Sequence, residues 1–149
     1  MSLSEQLDSD FKESLKNKEA EKLSILRLVR SSIKNLEITK QAEASDEDII
    51  EILQREVKQH KESIEANVKA NRDDEVKRLQ SEVELLKQYL PEELSSGELK
   101  DVIEGAISET QASGVSDVGK VMGKVMGKVK GRASGDEVGQ MVRDLLSNK

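Results

Sequence analysis

Val76-Lys-Arg-Leu79-Gln-Ser-Glu-Val83-Glu-Leu-Leu86-Lys-Gln-Tyr89-Leu90-Pro91 is the stretch that decides the architecture. Val76, Leu79, Val83, Leu86 and Leu90 recur at spacings of three and four, the seam of a helix lying along a partner. The seam stops abruptly, because a proline at 91 pushes Leu90 out of the α region. Upstream, Ser45 followed by Asp48 reads as an N-cap with an acid in the first turn. Ile49, Leu53, Val57, His60, Ile64 and Val68 then share one helical stripe of about 23 residues, which breaks near Asn71. The two segments are expected to form an antiparallel hairpin roughly 30 Å long.

Working outward from the hairpin, Leu3, Leu7, Phe11 and Leu15 recur every four residues, predicting a short amphipathic helix that ends near Asn17. From Glu19 to about Lys40, Leu23, Ile25, Leu26, Leu28, Val29, Ile33 and Leu36 cover more than half of a helix circumference. That helix must touch neighbours on more than one side. Beyond Pro91, Ser95 with Glu98 forms a capping box for a helix bearing Leu99, Val102, Ile103, Ala106 and Ile107, with Gly114 as its C-terminal cap. Ser116 is the candidate N-cap of a helix running through Val129 and closed by Gly131. Ser134 with Glu137 repeats the capping box for a last helix bearing Val138, Met141, Val142, Leu145 and Leu146. The expected fold is all-α: an N-terminal four-helix domain over 1–90 with a long antiparallel hairpin, then a C-terminal three-helix bundle over 91–149.

Composition supports a folded, helical chain and removes several kinds of chemistry. Leu, Ile and Val supply 38 of 149 residues despite 36% charged residues, more than disordered chains carry. One Phe, one Tyr and no Trp leave little material for β-rich packing. Without cysteine there is no disulfide, thiolate metal site or cysteine nucleophile, and a lone His60 builds neither a His-rich metal site nor a triad. No catalytic residue, metal or cofactor is expected. The acid-containing start, MSLSEQLDSDFKESLK, does not read as a signal peptide, and no apolar run approaches membrane-span length. A soluble cytoplasmic protein is the expectation.

The most unusual segment is a four-residue repeat, Val118-Gly-Lys-Val-Met-Gly-Lys-Val-Met-Gly-Lys-Val-Lys130. At 100° per residue, Gly119, Gly123 and Gly127 occupy one quadrant, and Lys120, Lys124 and Lys128 the next. Val121, Val125 and Val129 fill a third, and Met122 with Met126 the last. Three interior glycines cost a helix on the order of 3 kcal/mol relative to alanine, so something should offset them. Close packing of a neighbouring helix is one such compensation. A phosphate backbone is another, since it needs cations and accessible backbone. Lys120, Lys124, Lys128, Lys130 and Arg132 fall in a run without an acid, inside a chain of net charge −6. Gly119, Gly123, Gly131 and Gly135 are the positions expected to allow close backbone approach. With so few aromatics, sequence-specific reading of single-stranded bases is not expected.

Other segments have plainer explanations. The loop Lys128-Val-Lys-Gly-Arg-Ala-Ser-Gly135 lacks Walker spacing and follows a helix rather than a strand, so it does not read as an ATP site. Asp46, Glu47, Asp48 and Glu51 read as acids of a helix first turn, and His60 as a seam histidine paired within the hairpin.

Asp117-Val-Gly-Lys-Val-Met122 and Val129-Lys-Gly-Arg-Ala-Ser-Gly135 resemble the signature of the GatB/YqeY family. Leu26-Arg-Leu28, Ile33-Lys34, Lys61-Glu-Ser63, Asn71-Arg72 and Tyr89-Leu-Pro-Glu92 extend the resemblance over the whole chain, toward the free-standing YqeY proteins. Two positions depart from the pattern: Gly127 stands where family members commonly have Pro, and Ala66-Asn67 lacks an aromatic. The resemblance implies four N-terminal and three C-terminal helices. It also implies kinship with the tail of the GatB subunit of aspartyl/glutamyl-tRNA amidotransferase, where this module helps hold the tRNA. The inherited activity label is carbon-nitrogen ligase with glutamine as amido-N-donor. In that enzyme, catalysis belongs to other parts, and this chain offers no nucleophile-base pair or metal cluster to replace them. The expectation is therefore a tRNA-binding or tRNA-amidotransferase-associated module, non-catalytic alone, with tRNA or other structured RNA as partner and no membrane. The alternative is a protein-protein adaptor that uses the hairpin or the Met122/Met126 face against a protein partner.

Overall fold

Four helices of the chain start on a serine whose hydroxyl accepts a first-turn N–H, seen in a computed structural model that describes residues 1–148. The N-terminal elements are α1 (Leu3–Lys16), α2 (Ala20–Lys40), α3 (Asp46–Lys69) and α4 (Asp73–Lys87). The C-terminal elements are α5 (Ser96–Thr110), a single 3₁₀ turn (Val115–Asp117), α6 (Val118–Lys128) and α7 (Gly135–Ser147). No strand occurs among the described residues. The chain divides into two compact units, Met1–Pro91 and Glu92–Lys149. Among the described residues, no helix is long and apolar enough to cross a membrane.

In the first unit, α1 opens on a capping box: the Ser2 hydroxyl accepts the Glu5 N–H, and the Glu5 carboxylate accepts the Ser2 N–H. Ser45 and Asp48 do the same for α3. The core joins Leu7 of α1, Ile25, Leu26, Val29 and Ile33 of α2, Ile49, Ile52, Leu53 and Val57 of α3, and Val83 and Leu86 of α4. Helix α2 touches α1, α3 and α4, as its broad apolar surface requires. The α3 and α4 helices pair as a hairpin, the most extensive helix contact in the chain.

The hairpin seam carries a polar chain that is buried at His60 and Glu82 and half-exposed at the Arg78 and Glu75 side chains. The Nδ1 of His60 lies 2.8 Å from the Glu56 carbonyl and its Nε2 2.7 Å from Glu82 Oε2. Arg78 donates to the other Glu82 oxygen at 2.8 Å and to Glu75 at 2.6 Å. His60 is thus a structural seam residue, with a partner beside each ring nitrogen.

The fourth member of the α1 stripe departs from expectation. Leu15 is 52% exposed, and Ser14 faces inward in its place. A strict four-residue spacing drifts about 40° per step around a helix, so two steps beyond Leu7 carry the side chain off the core face.

The second unit packs α5, α6 and α7 around Leu99, Ile103, Ile107, Val121, Val125, Val129, Val138, Val142 and Leu146. Two expected boundaries differ here. Helix α5 ends at Thr110, four residues before Gly114, because Gln111 turns left-handed at φ 55°. The Ala112 N–H then bonds the Ile107 carbonyl and the Gln111 N–H bonds the Ser108 carbonyl, which returns the apolar Ala112 to the core. Gly114 sits in ordinary extended backbone. Ser116 does not cap α6, for it lies inside the 3₁₀ turn. The Asp117 carboxylate is taken by the Ser113 N–H at 3.0 Å, which winds 113–117 into a turn ahead of the helix. Ser95 and Ser134 cap α5 and α7, each accepting the N–H three residues on, but only this half of the expected capping boxes forms: at α5 it is the Ser95 hydroxyl, not its N–H, that meets the Glu98 carboxylate.

Candidate nucleic-acid interface

The repeat 118–130 folds as α6 with its four faces in the order set by 100° per residue. Val121, Val125 and Val129 are fully buried between α5 and α7, which fixes the rotation of the helix. Met122 and Met126 lie half-buried beside them. The opposite side is left to Gly119, Gly123, Gly127 and the lysines, all exposed.

The glycine stripe is bare. A methyl group placed on Gly119, Gly123 or Gly127 meets no atom within 4 Å, so these glycines do not serve close packing of a helix within the unit. The packing explanation for the repeat is therefore set aside. Where α6 does meet α7, it is Met122 that leans toward Gly139. Gly131 is buried, and its φ of 74° is the left-handed conformation that an L side chain resists. Its glycine serves the turn out of α6 rather than an approach from outside. Gly135 is exposed at the first position of α7, but the α7 N-terminus is already capped by Ser134 and followed by Asp136 and Glu137. Those acids make it a poor seat for an anion.

The cations are less free in space than in sequence. Lys124 Nζ lies 3.3 Å from Glu109 Oε2 and Lys128 Nζ 2.9 Å from Glu109 Oε1, one carboxylate on α5 answering two lysines one turn apart. Hydrogen bonding to Lys128 and then to Lys124 holds the Glu109 carboxyl below its usual range. Asp117 is also lowered, chiefly by the Ser113 N–H, with a smaller contribution from the charge of Lys120. Arg132 is built into its own unit. Its Nε donates to the Glu92 carbonyl at 2.9 Å, its own carbonyl accepts the Leu94 N–H at 2.9 Å, and its Nη2 lies 4.0 Å from Glu98. It braces the segment entering α5. Lys130 is exposed just beyond the helix end.

The structure thus gathers Lys120, Lys124 and Lys128 beside an open backbone stripe, with successive lysines about 6 Å apart along the helix. It separates Arg132, Gly131 and Gly135 into turn and bracing positions. The Glu109 partner was not visible from the run itself, since it comes from another helix.

The remaining acids have local duties. Asp46 accepts the Leu3 N–H at 3.1 Å, and Asp48 pairs with Lys40 at 2.6 Å, with Lys40 the main cause of its lowered pKa. Among the described residues, no cluster of His, Asp or Glu could hold a metal ion.

Two fungal proteins are similar over part of the chain. The protein "Altered inheritance of mitochondria protein 41, mitochondrial" of Lachancea thermotolerans is 36% identical over 85 residues, covering 56% of this chain and 46% of the relative. An uncharacterized protein of Schizosaccharomyces pombe is 29% identical over 84 residues, covering 56% of this chain and 68% of the relative. The match thus spans under half the length of the first relative. A family model described as Yqey-like protein matches residues 4–146, nearly the whole sequence, and the chain belongs to that family.

Proposed function

We propose that this chain is an RNA-binding helical module that holds the phosphate backbone of tRNA or a similarly structured RNA on the Lys120, Lys124, Lys128 face of α6. The observation that carries this reading is the open glycine stripe beside those lysines. It weakens the helix, no neighbour in the unit uses it, and it lets a bulky polyanion reach the lysines without side chains in the way. The resemblance to the amidotransferase tail supports tRNA as the class of RNA. Any carbon-nitrogen ligase chemistry then belongs to an enzyme the module accompanies. The RNA pool proposed is cytoplasmic, and the mitochondrial term in the fungal relative's name describes that protein.

The protein-adaptor alternative rests on the hairpin, where Val68 is 56% exposed near the tip. Met122 and Met126 pack against their own core and offer a partner less surface.

The deciding experiment is equilibrium binding of bulk tRNA across a salt series. Changing Lys120, Lys124 and Lys128 together to Gln should lower affinity at about 50 mM salt and reduce the slope of log K against log salt by up to about 3. An unchanged slope in a folded triple variant sinks the phosphate reading.

A further inference from the structure

The α6 run has no acid of its own, yet two of its lysines share a single acid supplied from α5. We infer that Glu109 is a built-in counter-ion that competes with phosphate for Lys124 and Lys128 and thereby tunes how strongly α6 holds RNA, an inference that rests on the phosphate-binding reading above.

Three observations carry it. First, the geometry is divided: one oxygen of Glu109 faces each lysine, at 3.3 and 2.9 Å, so a single side chain covers two of the three cations on the stripe. Second, the position of Glu109 is not explained by its own helix. It stands in the last turn of α5, which holds no basic residue, and negative charge there opposes the helix dipole. Third, the cluster is half in water, with Glu109 48% exposed and Lys124 and Lys128 48% and 41% exposed. Exposed pairs of this kind open readily, so Glu109 moderates access to the lysines and does not lock them.

The consequence for binding is a matter of exchange. A phosphate reaching Lys124 or Lys128 replaces the carboxylate, which then stands as a like charge within about 6 Å of it. In water that repulsion is worth roughly threefold in affinity, and more where the contact excludes solvent. Lysines already paired inside the protein also contribute less to the net release of counterions, which flattens the salt dependence. Lys120 lies outside this control, since Glu109 pairs with Lys124 and Lys128, and Asp117 acts on Lys120 by charge alone.

The test uses the intact chain with a labelled generic RNA duplex and with unfractionated tRNA. Glu109→Gln should bind each probe about three- to tenfold more tightly at roughly 50 mM salt, with a salt slope steeper by about 1. Glu104→Gln removes the same charge from an exposed site on α5 that faces Lys100 instead, and should change affinity little. The gain should vanish when Lys124 and Lys128 are also changed to Gln. If the lysine changes weaken binding but Glu109→Gln does not tighten it, the inference about Glu109 is overturned and the phosphate reading stands. A gain that Glu104→Gln reproduces, or that survives without the two lysines, is a net-charge effect and overturns it as well. If neither lysines nor Glu109 alter binding, both fall.

Discussion

The Tyr89 hydroxyl donates to the Asp10 carboxylate at 2.5 Å, joining the end of the hairpin to α1 across 79 positions of sequence. The Tyr89 ring lies in the core of the N-terminal unit. Burial, then the hydrogen bond to Asp10, pushes the phenol above its ordinary range. The sign of the linkage follows. An unfolded tyrosine releases its proton near pH 10, while the folded one holds it longer, so above about pH 10 the native state binds more protons and stability falls as pH rises. Tyr89→Phe should lower stability at neutral pH by about 1–3 kcal/mol through loss of a bond to a charged group. Its urea midpoint should also fall less steeply than that of the wild type above pH 10. Tyr89 is the chain's one tyrosine, so alkaline absorbance reads its ionisation directly. A wild-type phenol titrating at its ordinary value would contradict this account.

Ser14 is buried, and its hydroxyl has no hydrogen-bond partner among the described residues. An unmatched buried hydroxyl costs about 1–3 kcal/mol, and alanine is the better helix former. Ser14→Ala should therefore raise the unfolding free energy by about 1 kcal/mol. A destabilised Ser14→Ala protein would show that the hydroxyl is satisfied in solution.

The end of α5 separates two candidates for its cap. Gln111 is left-handed at φ 55°, where a side chain costs about 1–2 kcal/mol that glycine avoids. Gln111→Gly should stabilise the fold by up to about 1 kcal/mol once the added freedom of the unfolded chain is deducted. Gly114 is extended, and a methyl group there meets no atom within 4 Å. Gly114→Ala should be neutral or slightly stabilising. The opposite pattern in chemical denaturation would restore Gly114 as the cap.

These positions mark where sequence reasoning succeeds and where it stops. The four N-terminal helices, the hairpin, the seam pairing of His60 and the caps at Ser45, Ser95 and Ser134 follow from period and capping chemistry, both local properties of the chain. The helix ends near Asn17, Lys40 and Asn71 were legible even though Lys18, Gln41 and Asn71 are left-handed without being glycine, whereas the end of α5 was not, because Gln111 rather than a glycine takes the left-handed position. Tertiary demand outweighs conformational preference at that turn, as the return of Ala112 to the core illustrates. The inward turn of Ser14 came from slow drift of a four-residue repeat. At the candidate interface, the repeat fixed the faces of α6. Which face stays open, and which acid answers the lysines, depends on how α5 and α7 pack, and no spacing within 118–130 carries that information.

The last prediction concerns Gly123, where stability and binding should move in opposite directions. Helix α6 carries glycine at three successive turns, and Gly123, at its centre, is less favourable than alanine by about 1 kcal/mol in an exposed helix interior. Since a methyl group at Gly123 meets nothing within 4 Å, Gly123→Ala should stabilise the protein by up to about 1 kcal/mol. Gly131→Ala serves as the contrast: its φ of 74° makes the same change destabilising by about 1–2 kcal/mol. If the stripe exists so that a phosphate backbone can come close, the more stable Gly123→Ala protein should hold bulk tRNA less tightly at low salt, with its salt slope little changed because no cation is lost. That combination, a firmer helix with weaker binding, is not produced by general unfolding or by altered charge. A Gly123→Ala protein that gains stability and keeps its full affinity would mean that the lysines act without the glycines, and the open stripe would then need another explanation.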